Sequence, residues 1–209
     1  MKLVVMSASV DYPGEVGEAV NMLDKGLDFF HVRKPRKSKS DLADYIKKFP
    51  KEYRSRLVLH SFHDLADVYK LGGIHLSRAH RGRNKFYQFR LWLRRRQAPN
   101  FVVTRTFHKL TDIVNDKRTY SYTFLSPVYD SHAQTTLSAG FSQRALHIIL
   151  PQAKQPVYAL GGVSLDNLAK SFENGFHGAV FHGSIWDGES SPSEMFAEAL
   201  RIVHQLSKI

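Results

Sequence analysis

The sequence has no cysteine among its 209 residues. Disulfides, thiolate zinc sites and a cysteine nucleophile are therefore excluded, and a reducing compartment, the cytoplasm, is the expected location. Long apolar runs are absent as well. The N-terminal run covers only residues 3–6, too short for the core of a signal peptide, and no run approaches the length of a membrane span. The sequence predicts a soluble protein with no membrane partner.

Acidic residues are comparatively few, with 19 Asp and Glu against 30 Lys and Arg. The resulting net charge of +11 favours anionic ligands, either phosphates or nucleic acid. Hydrophobic residues make up 43% of the chain, which is enough for a sizeable core at this length. Because no linker, low-complexity tract or tight repeat divides it, the chain is predicted to form one domain over residues 1–209.

Eight short apolar or β-branched runs alternate with eight amphipathic segments. The runs, typical of strands, cover residues 3–6, 29–33, 57–60, 73–76, 101–104, 122–125, 157–160 and 179–181. The segments, typical of helices, cover residues 15–25, 39–49, 64–71, 84–96, 110–116, 142–152, 166–174 and 193–206. This alternation indicates a parallel sheet, and eight units favour its closure into an α/β fold, the (βα)8 or TIM barrel. The alternative, an open doubly wound sheet, normally has a glycine-rich turn where residues 6–9 read Met-Ser-Ala-Ser.

The active site of such a barrel lies at the C-terminal ends of its strands. Polar and basic residues gather at those positions: His31, Arg33, His60, His75, Arg78, Thr104, Arg105, Thr106, His108, Ser126, Tyr129, His182 and Ser184. We therefore expect a polar, cationic site at this end of the barrel.

Two glycine-containing loops follow the last two predicted strands. Gly161 and Gly162 follow the seventh strand, and His182, Gly183 and Ser184 follow the eighth. Glycines let backbone N–H groups approach an anion closely, and phosphate sites between these two loops recur in this fold. A Gly-Gly pair is also common where a turn simply enters a helix. Its place in the barrel favours a phosphate site.

Six segments, in order and spread over nearly the whole chain, carry a family pattern. They are residues 29–34 (Phe-Phe-His-Val-Arg-Lys), 59–66 (Leu-His-Ser-Phe-His-Asp-Leu-Ala), 72–76 (Gly-Gly-Ile-His-Leu), 106–108 (Thr-Phe-His), 125–129 (Leu-Ser-Pro-Val-Tyr) and 157–163 (Val-Tyr-Ala-Leu-Gly-Gly-Val). Together they resemble the thiamine phosphate synthase and thiazole tautomerase (TenI-like) family.

The resemblance implies a role in thiamine biosynthesis. The synthases join a pyrimidine diphosphate to a thiazole phosphate, with magnesium and basic residues stabilising the departing pyrophosphate. The sister branch isomerises a thiazole carboxylate phosphate by proton transfer. The ligand implied here is a small thiazole phosphate, held by the two glycine loops. Arg33, Lys34 and His60 are the further expected substrate-binding or phosphate-binding residues.

Departures from the synthase pattern concern its metal and its pyrophosphate. Ser61 and His80 stand where the family has magnesium-binding aspartates, and Gln134 and Pro35 where it has lysines. Magnesium prefers oxygen ligands, above all carboxylates, so the metal has lost its anchor. His60 and His63 are spaced as a metal pair could be, but no carboxylate completes the set, and we expect solvent-exposed histidines at a helix start. No metal or cofactor is expected, except magnesium if the synthase alternative holds.

Tautomerase chemistry needs no metal, only a group that titrates near neutrality, which histidine supplies. The characterised branch has a histidine where Pro127 stands here, so another histidine would take the role. Among His31, His60, His108 and His182, we expect His108, beside the hydroxyl of Thr106, or His31. We expect His75, inside an apolar strand, to be a hydrogen-bonded core residue.

Three functions stay open at this point. The first is an isomerase resembling the thiazole tautomerases, acting by acid–base chemistry without metal. The second is a thiamine phosphate synthase with displaced ligands, a transferase that needs magnesium and releases pyrophosphate. The third is a non-catalytic binder or regulator that recognises a phosphate ligand.

A dense basic run at residues 90–96 lies among the aromatics Phe86, Tyr87, Phe89 and Trp92. This pattern could mimic a nucleic-acid surface. We expect instead that the aromatics face the barrel and that the arginines are solvated, because the apolar positions fall on one helical stripe. Nucleic acid is therefore not the expected partner, and the sequence leaves a homodimer through the outer helices open.

Overall fold

The structure, a computed structural model, describes residues 1–77, 85–130, 141–188 and 190–207, with the side chains of all these except 85–88 and 90. Its strands are β1 (Lys2–Met6), β2 (Phe30–Val32), β3 (Leu57–Leu59), β4 (Gly73–Leu76), β5 (Val102–Phe107), β6 (Tyr122–Leu125), β7 (Val157–Leu160) and β8 (Gly178–Phe181). They form a closed barrel in sequence order, and every neighbouring pair, including β1 with β8, is parallel. The predicted TIM barrel is confirmed.

Helices follow the strands in turn. They are α1 (Glu15–Asp24), α2 (Lys39–Lys47), α3 (Asp64–Val68), α4 (Lys85–Gln97), α5 (Leu110–Asn115), α6 (Gln143–Ile149), α7 (Leu168–Glu173), α8 (Gly183–Trp186) and α9 (Pro192–Leu206), with 3-10 turns at Lys51–Arg56 and Leu150–Gln152. The sequence reading missed the short α8, which directly follows β8. No helix within the described ranges is long and apolar enough to cross a membrane.

Two apolar clusters divide the interior because successive strand residues point to opposite faces. In β1, Leu3 and Val5 pack in the large cluster between the barrel and its helices. Val4 and Met6 belong instead to the smaller cluster inside the barrel. The inner cluster also holds Tyr122 and Tyr158, whose rings stack 4.8 Å apart at an angle of 6°. The barrel is therefore filled by side chains below its C-terminal mouth.

Helix α4 faces the barrel with different residues from those predicted. Phe89 and Trp92 are 55% and 51% exposed, so the expectation that these aromatics face the barrel is wrong. Leu91 packs against the core instead, and the guanidinium of Arg94 lies 4.7 Å from the Phe101 ring and pairs with Asp67. An arginine stem can cover apolar surface as a hydrophobic residue does, which turns the aromatic stripe outward. The side chains of Phe86 and Tyr87 lie outside the described part of the chain.

Candidate active site

A cavity of about 370 Å³ opens at the C-terminal end of the barrel. Each of the eight strands contributes to it, through its last residues or the residues just after it. The lining comprises Met6, Arg33, His60, His75, Leu76, Ser77, Thr106, His108, Ser126, Leu160, Gly161 and His182. Four imidazoles, one guanidinium and three hydroxyls therefore face one space. The sequence predicted its location and its basic, histidine-rich character.

His108 is exposed in the loop between β5 and α5 and has a defined tautomer. Its Nδ1 lies 2.7 Å from the backbone oxygen of Ser126. A carbonyl oxygen can only accept a hydrogen bond, so Nδ1 carries the proton and the Nε2 of the neutral ring has a free lone pair. Of its two ring nitrogens, Nε2 is therefore the one that remains for a ligand.

Three further histidines meet at the base of the cavity. His31 is fully buried, His75 is 5% exposed and His60 is half-buried. The Nδ1 of His31 lies 3.0 Å from the Nε2 of His60, whose ring stacks on that of His75 with centroids 4.1 Å apart. His75 is hydrogen-bonded as expected, to the hydroxyls of Thr104 at 2.8 Å and Thr106 at 3.1 Å, but it also lines the cavity.

Burial lowers the pKa of His31 and of His60 well below the usual value, and the neighbouring His75 adds to both effects. Removing an imidazolium from water is costly, so these two rings are neutral near pH 7. His31 does not line the cavity. Its second nitrogen, Nε2, is 2.7 Å from the Tyr122 hydroxyl, so both of its ring nitrogens are engaged. It can therefore act on a substrate in the cavity only through His60.

Arg33 provides the fixed positive charge of the cavity. It follows β2 and is half-buried, and its guanidinium has no hydrogen bond or ion pair with any other residue that the structure describes. Burial lowers the pKa of His182, and the charge of Arg33 lowers it further. The Nε2 of His182 lies 3.0 Å from the Ser9 hydroxyl. A cation without an internal partner in a cavity is suited to an anionic ligand.

Lys34 lies elsewhere, contrary to its predicted place at the phosphate. Its ammonium is 2.6 Å from a Glu15 carboxylate oxygen, with the two side chains 2% and 4% exposed. The backbone oxygen of Ala8 accepts a further hydrogen bond from the same ammonium at 2.9 Å. Side chains point alternately along a strand and its extension, so Lys34 follows the outward direction while Arg33 reaches the cavity. Lys34 fixes the loop after β1.

The backbone conformation of the loop after β7 requires its two glycines. Gly161 and Gly162 have φ angles of 90° and 66°, and a Cβ on Gly162 would lie 2.7 Å from the backbone oxygen of Tyr129. Asn167 closes the loop by donating to the Gly162 carbonyl oxygen at 2.8 Å. Helix α7 begins only at Leu168, so the pair does not lie directly at a helix start. Of the residues in this loop, Gly161 alone lines the cavity.

The loop after β8 contributes mainly His182. The Ser184 hydroxyl donates to the Val163 carbonyl oxygen at 2.6 Å and ties the two glycine loops together. Gly162, Gly183 and Ser184 are not among the lining residues. Arg78, His80 and Gln134, named from the sequence, lie outside the described residues.

Other contacts show what the sequence reading missed. His63 was expected in solvent, but it is 9% exposed and its Nε2 contacts the His75 carbonyl oxygen at 3.1 Å. Tyr122 was read only as the start of a strand. The strand register could have indicated that Tyr122 lies near the buried histidines. Tyr122 pairs with Thr104, and Thr104 with His75, across β4, β5 and β6. That register depends on the closed barrel and is not visible in periodicity alone.

Comparisons with known proteins agree with this architecture. A family model described as thiamine monophosphate synthase matches residues 3–185. The thiamine-phosphate synthase of Flavobacterium johnsoniae is 25% identical over 197 residues, which are 90% of this chain and 90% of the relative. A thiamine phosphate pyrophosphorylase structure from Bacteroides thetaiotaomicron has a TM-score of 0.77 at 25% identity, with 98% of each chain covered. Another from Pyrococcus furiosus, 18% identical, shares the fold with a TM-score of 0.75, covering 98% of this chain and 96% of that one.

Proposed function

Because the chain belongs to the thiamine monophosphate synthase family, we propose that it binds a thiazole phosphate in the barrel cavity and isomerises it by proton transfer. The six sequence segments that resemble this family are thereby explained. The observation that carries the finer proposal is the tautomer of His108. Its Nδ1–H donates to Ser126, which leaves Nε2 as a base on a ring that lines the cavity.

Binding is assigned to the cationic side of the cavity. The Arg33 guanidinium has no partner among the residues that the structure describes and lines the cavity together with His182, which supports a role for it in pairing with the phosphate. Guanidinium groups match phosphate oxygens in a bidentate way, so Arg33 supplies both charge and orientation. The Gly161 backbone borders the ligand on the other side.

Proton transfer is assigned to His108. In this scheme Nε2 takes a proton from a carbon of the thiazole and the ring becomes an imidazolium. Its N–H exchanges with solvent, and the ring then returns one proton to another position of the ligand. No atom or electron is gained or lost overall. The Thr106 hydroxyl and His60 line the same cavity and can stabilise charge that develops on the ligand. A base of this kind contributes about 100-fold to 10,000-fold in rate.

The test follows a thiazole carboxylate phosphate by NMR in D2O. The protein should interconvert the isomers and incorporate deuterium, and His108→Gln should slow this about 100-fold or more. His204→Gln on the exposed face of α9 is the matched control and should keep the rate. If the isomer ratio is the same with and without the wild-type protein and no deuterium is taken up, the isomerase is rejected. Binding without turnover would instead identify a non-catalytic binder.

A synthase is the second candidate, favoured by the family and by the name of the Flavobacterium johnsoniae relative. The described cavity lining holds imidazoles and hydroxyls but no carboxylate. Mg²⁺ prefers carboxylate oxygens, so these residues do not fit the ion that the synthase reaction uses. Pyrophosphate release that depends on magnesium, from a pyrimidine diphosphate and a thiazole phosphate, would establish this activity. If no pyrophosphate is released, the synthase activity is rejected.

A further inference from the structure

His31, His60 and His75 bring three imidazoles to one point in the barrel. One ring nitrogen from each lies within 4.8 Å of those of the other two. The barrel register explains the convergence. His31 pairs with Val58 on β3, and Leu59 pairs with Ile74 on β4. His60 and His75 therefore come next to each other on neighbouring strands, above His31.

We propose that His31, His60 and His75 form a binding site for one first-row transition-metal ion of the Zn²⁺, Co²⁺ and Ni²⁺ class. Imidazole nitrogen suits these ions, whereas Mg²⁺ and Ca²⁺ select oxygen. Three histidines with a fourth position open to a cavity are a coordination set that Zn²⁺ occupies in proteins. The site is distinct from a carboxylate-held magnesium ion, and it does not rest on the isomerase proposal.

Oxygen partners hold the far nitrogens of two of the ligands. The Tyr122 hydroxyl is 2.7 Å from His31 Nε2, and the Thr104 hydroxyl is 2.8 Å from His75 Nδ1. A histidine that donates its far N–H to an oxygen presents an unprotonated nitrogen on the other side, which is the form that binds a metal. In the metal-bound state His31 therefore offers Nδ1. His75 offers Nε2, which exchanges its 3.1 Å contact with the Thr106 hydroxyl for the ion.

The distances require one defined movement. Two nitrogens on a tetrahedral Zn²⁺ ion lie about 3.3 Å apart, given Zn–N bonds of about 2.0–2.1 Å. The His31 and His60 nitrogens are already 3.0 Å apart. His60 and His75, however, are stacked with 11° between their planes, and a metal lies in the plane of each imidazole that it binds. One of these two rings must leave the stack.

His60 is the ring placed to turn. It is half-buried at the cavity, and the hydrogen bond of its ring is to His31. The ring of His75 is held by two threonine hydroxyls. Rotation of His60 would exchange its hydrogen bond with His31 for a shared ion, while His75 keeps its contact with Thr104. Metal binding should thus separate the His60 and His75 rings.

The experiment uses the full chain without a histidine tag, stripped with EDTA, and titrates it with Co²⁺ followed by visible absorption and with Zn²⁺ by calorimetry. We expect one ion per chain and the intense visible bands of four-coordinate Co²⁺. X-ray absorption at the metal edge should count three imidazole ligands. Failure to bind one ion, or a count below three, overturns the site.

Variants separate a built site from loose surface binding. His60→Gln should weaken binding by more than about 100-fold, and Tyr122→Phe, which keeps all three ligands, by about 10-fold to 100-fold. His204→Gln removes an exposed imidazole and should change nothing. Circular dichroism verifies the fold of each variant. Unchanged affinity in His60→Gln overturns the proposal whatever Tyr122→Phe shows, and the ligand count decides it if His60→Gln fails to fold.

Discussion

The imidazoles of His31 and His60 share a hydrogen bond of 3.0 Å between Nδ1 of the first and Nε2 of the second. Only one of these two nitrogens carries a proton, so the tautomers of the two rings are coupled. His31 is fully buried and its other nitrogen meets Tyr122. A change at the phenol of Tyr122 is therefore transmitted to the ring that lines the cavity.

Acid should destabilise the protein through this pair. Burial holds the pKa of His31 and of His60 below the usual value of 6.5, so the unfolded chain binds protons first as the pH falls. The stability due to the neutral rings is complete above pH 6.5 and is lost as the pH falls towards the folded pKa values. Urea unfolding at pH 7.5, 6.5 and 5.5 in EDTA should give a falling free energy of unfolding, less steep in His60→Gln than in His204→Gln. A flat profile in the wild type would contradict this.

Glu15→Gln should be strongly destabilising. The change leaves the Lys34 ammonium buried beside a neutral amide, and breaking a buried pair in this way costs about 3–5 kcal/mol. The matched control is Asp28→Asn, which breaks the exposed contact with Lys2 and should cost about 0–1 kcal/mol. Chemical denaturation measures both. Similar losses in the two variants would show that burial of the Lys34 pair has no special weight.

Glycine substitutions should act in opposite directions at two positions. Gly162→Ala forces an alanine to φ 66° and against Tyr129, which should cost about 1–3 kcal/mol. Gly17 lies on the exposed face of α1 with nothing within 4 Å of an added Cβ, so Gly17→Ala should gain about 0.4–1 kcal/mol. Melting temperatures of the two variants test the pair, and a stabilising Gly162→Ala would be inconsistent with the loop geometry.

Trp92→Gln should change the free energy of unfolding by less than about 0.5 kcal/mol, because half of the side chain is already in solvent. Phe124→Ala inside the barrel should cost about 3–5 kcal/mol. The comparison tests how α4 is oriented. A large loss of stability in the Trp92 variant would instead support the sequence-based prediction that the aromatic residues of α4 face the barrel.

The strands and the position of the cavity could be predicted because they depend on local pattern. Runs such as residues 157–160 are short, apolar and followed by glycine, and their C-terminal ends define the site in any such barrel. Arg33 and Lys34 are adjacent in the chain. Only the path of the backbone after β2 decides that Lys34 pairs with Glu15 while Arg33 lines the cavity. On α4, Arg94 took a place that an apolar residue was expected to fill.

His75 shows a second limit of sequence reading. A histidine in an apolar strand is most simply a core residue, and His75 is indeed buried and hydrogen-bonded. Its stacking on His60 arises from the pairing of β3 with β4, which brings together residues 15 positions apart in the chain. A pairwise contact of this kind requires the strand register, and no single segment contains it.

The stacked rings of Tyr122 and Tyr158 belong to the inner cluster that fills the barrel below the cavity, so a ligand reaches the histidines from the C-terminal mouth. Whatever reaches the histidines must enter and leave by the same mouth. If two reactants share the cavity, the deeper one has to arrive first, and its product is trapped until the upper one has gone. The filled barrel therefore imposes an order of binding and release on two such reactants, which inhibition patterns in steady-state kinetics would reveal.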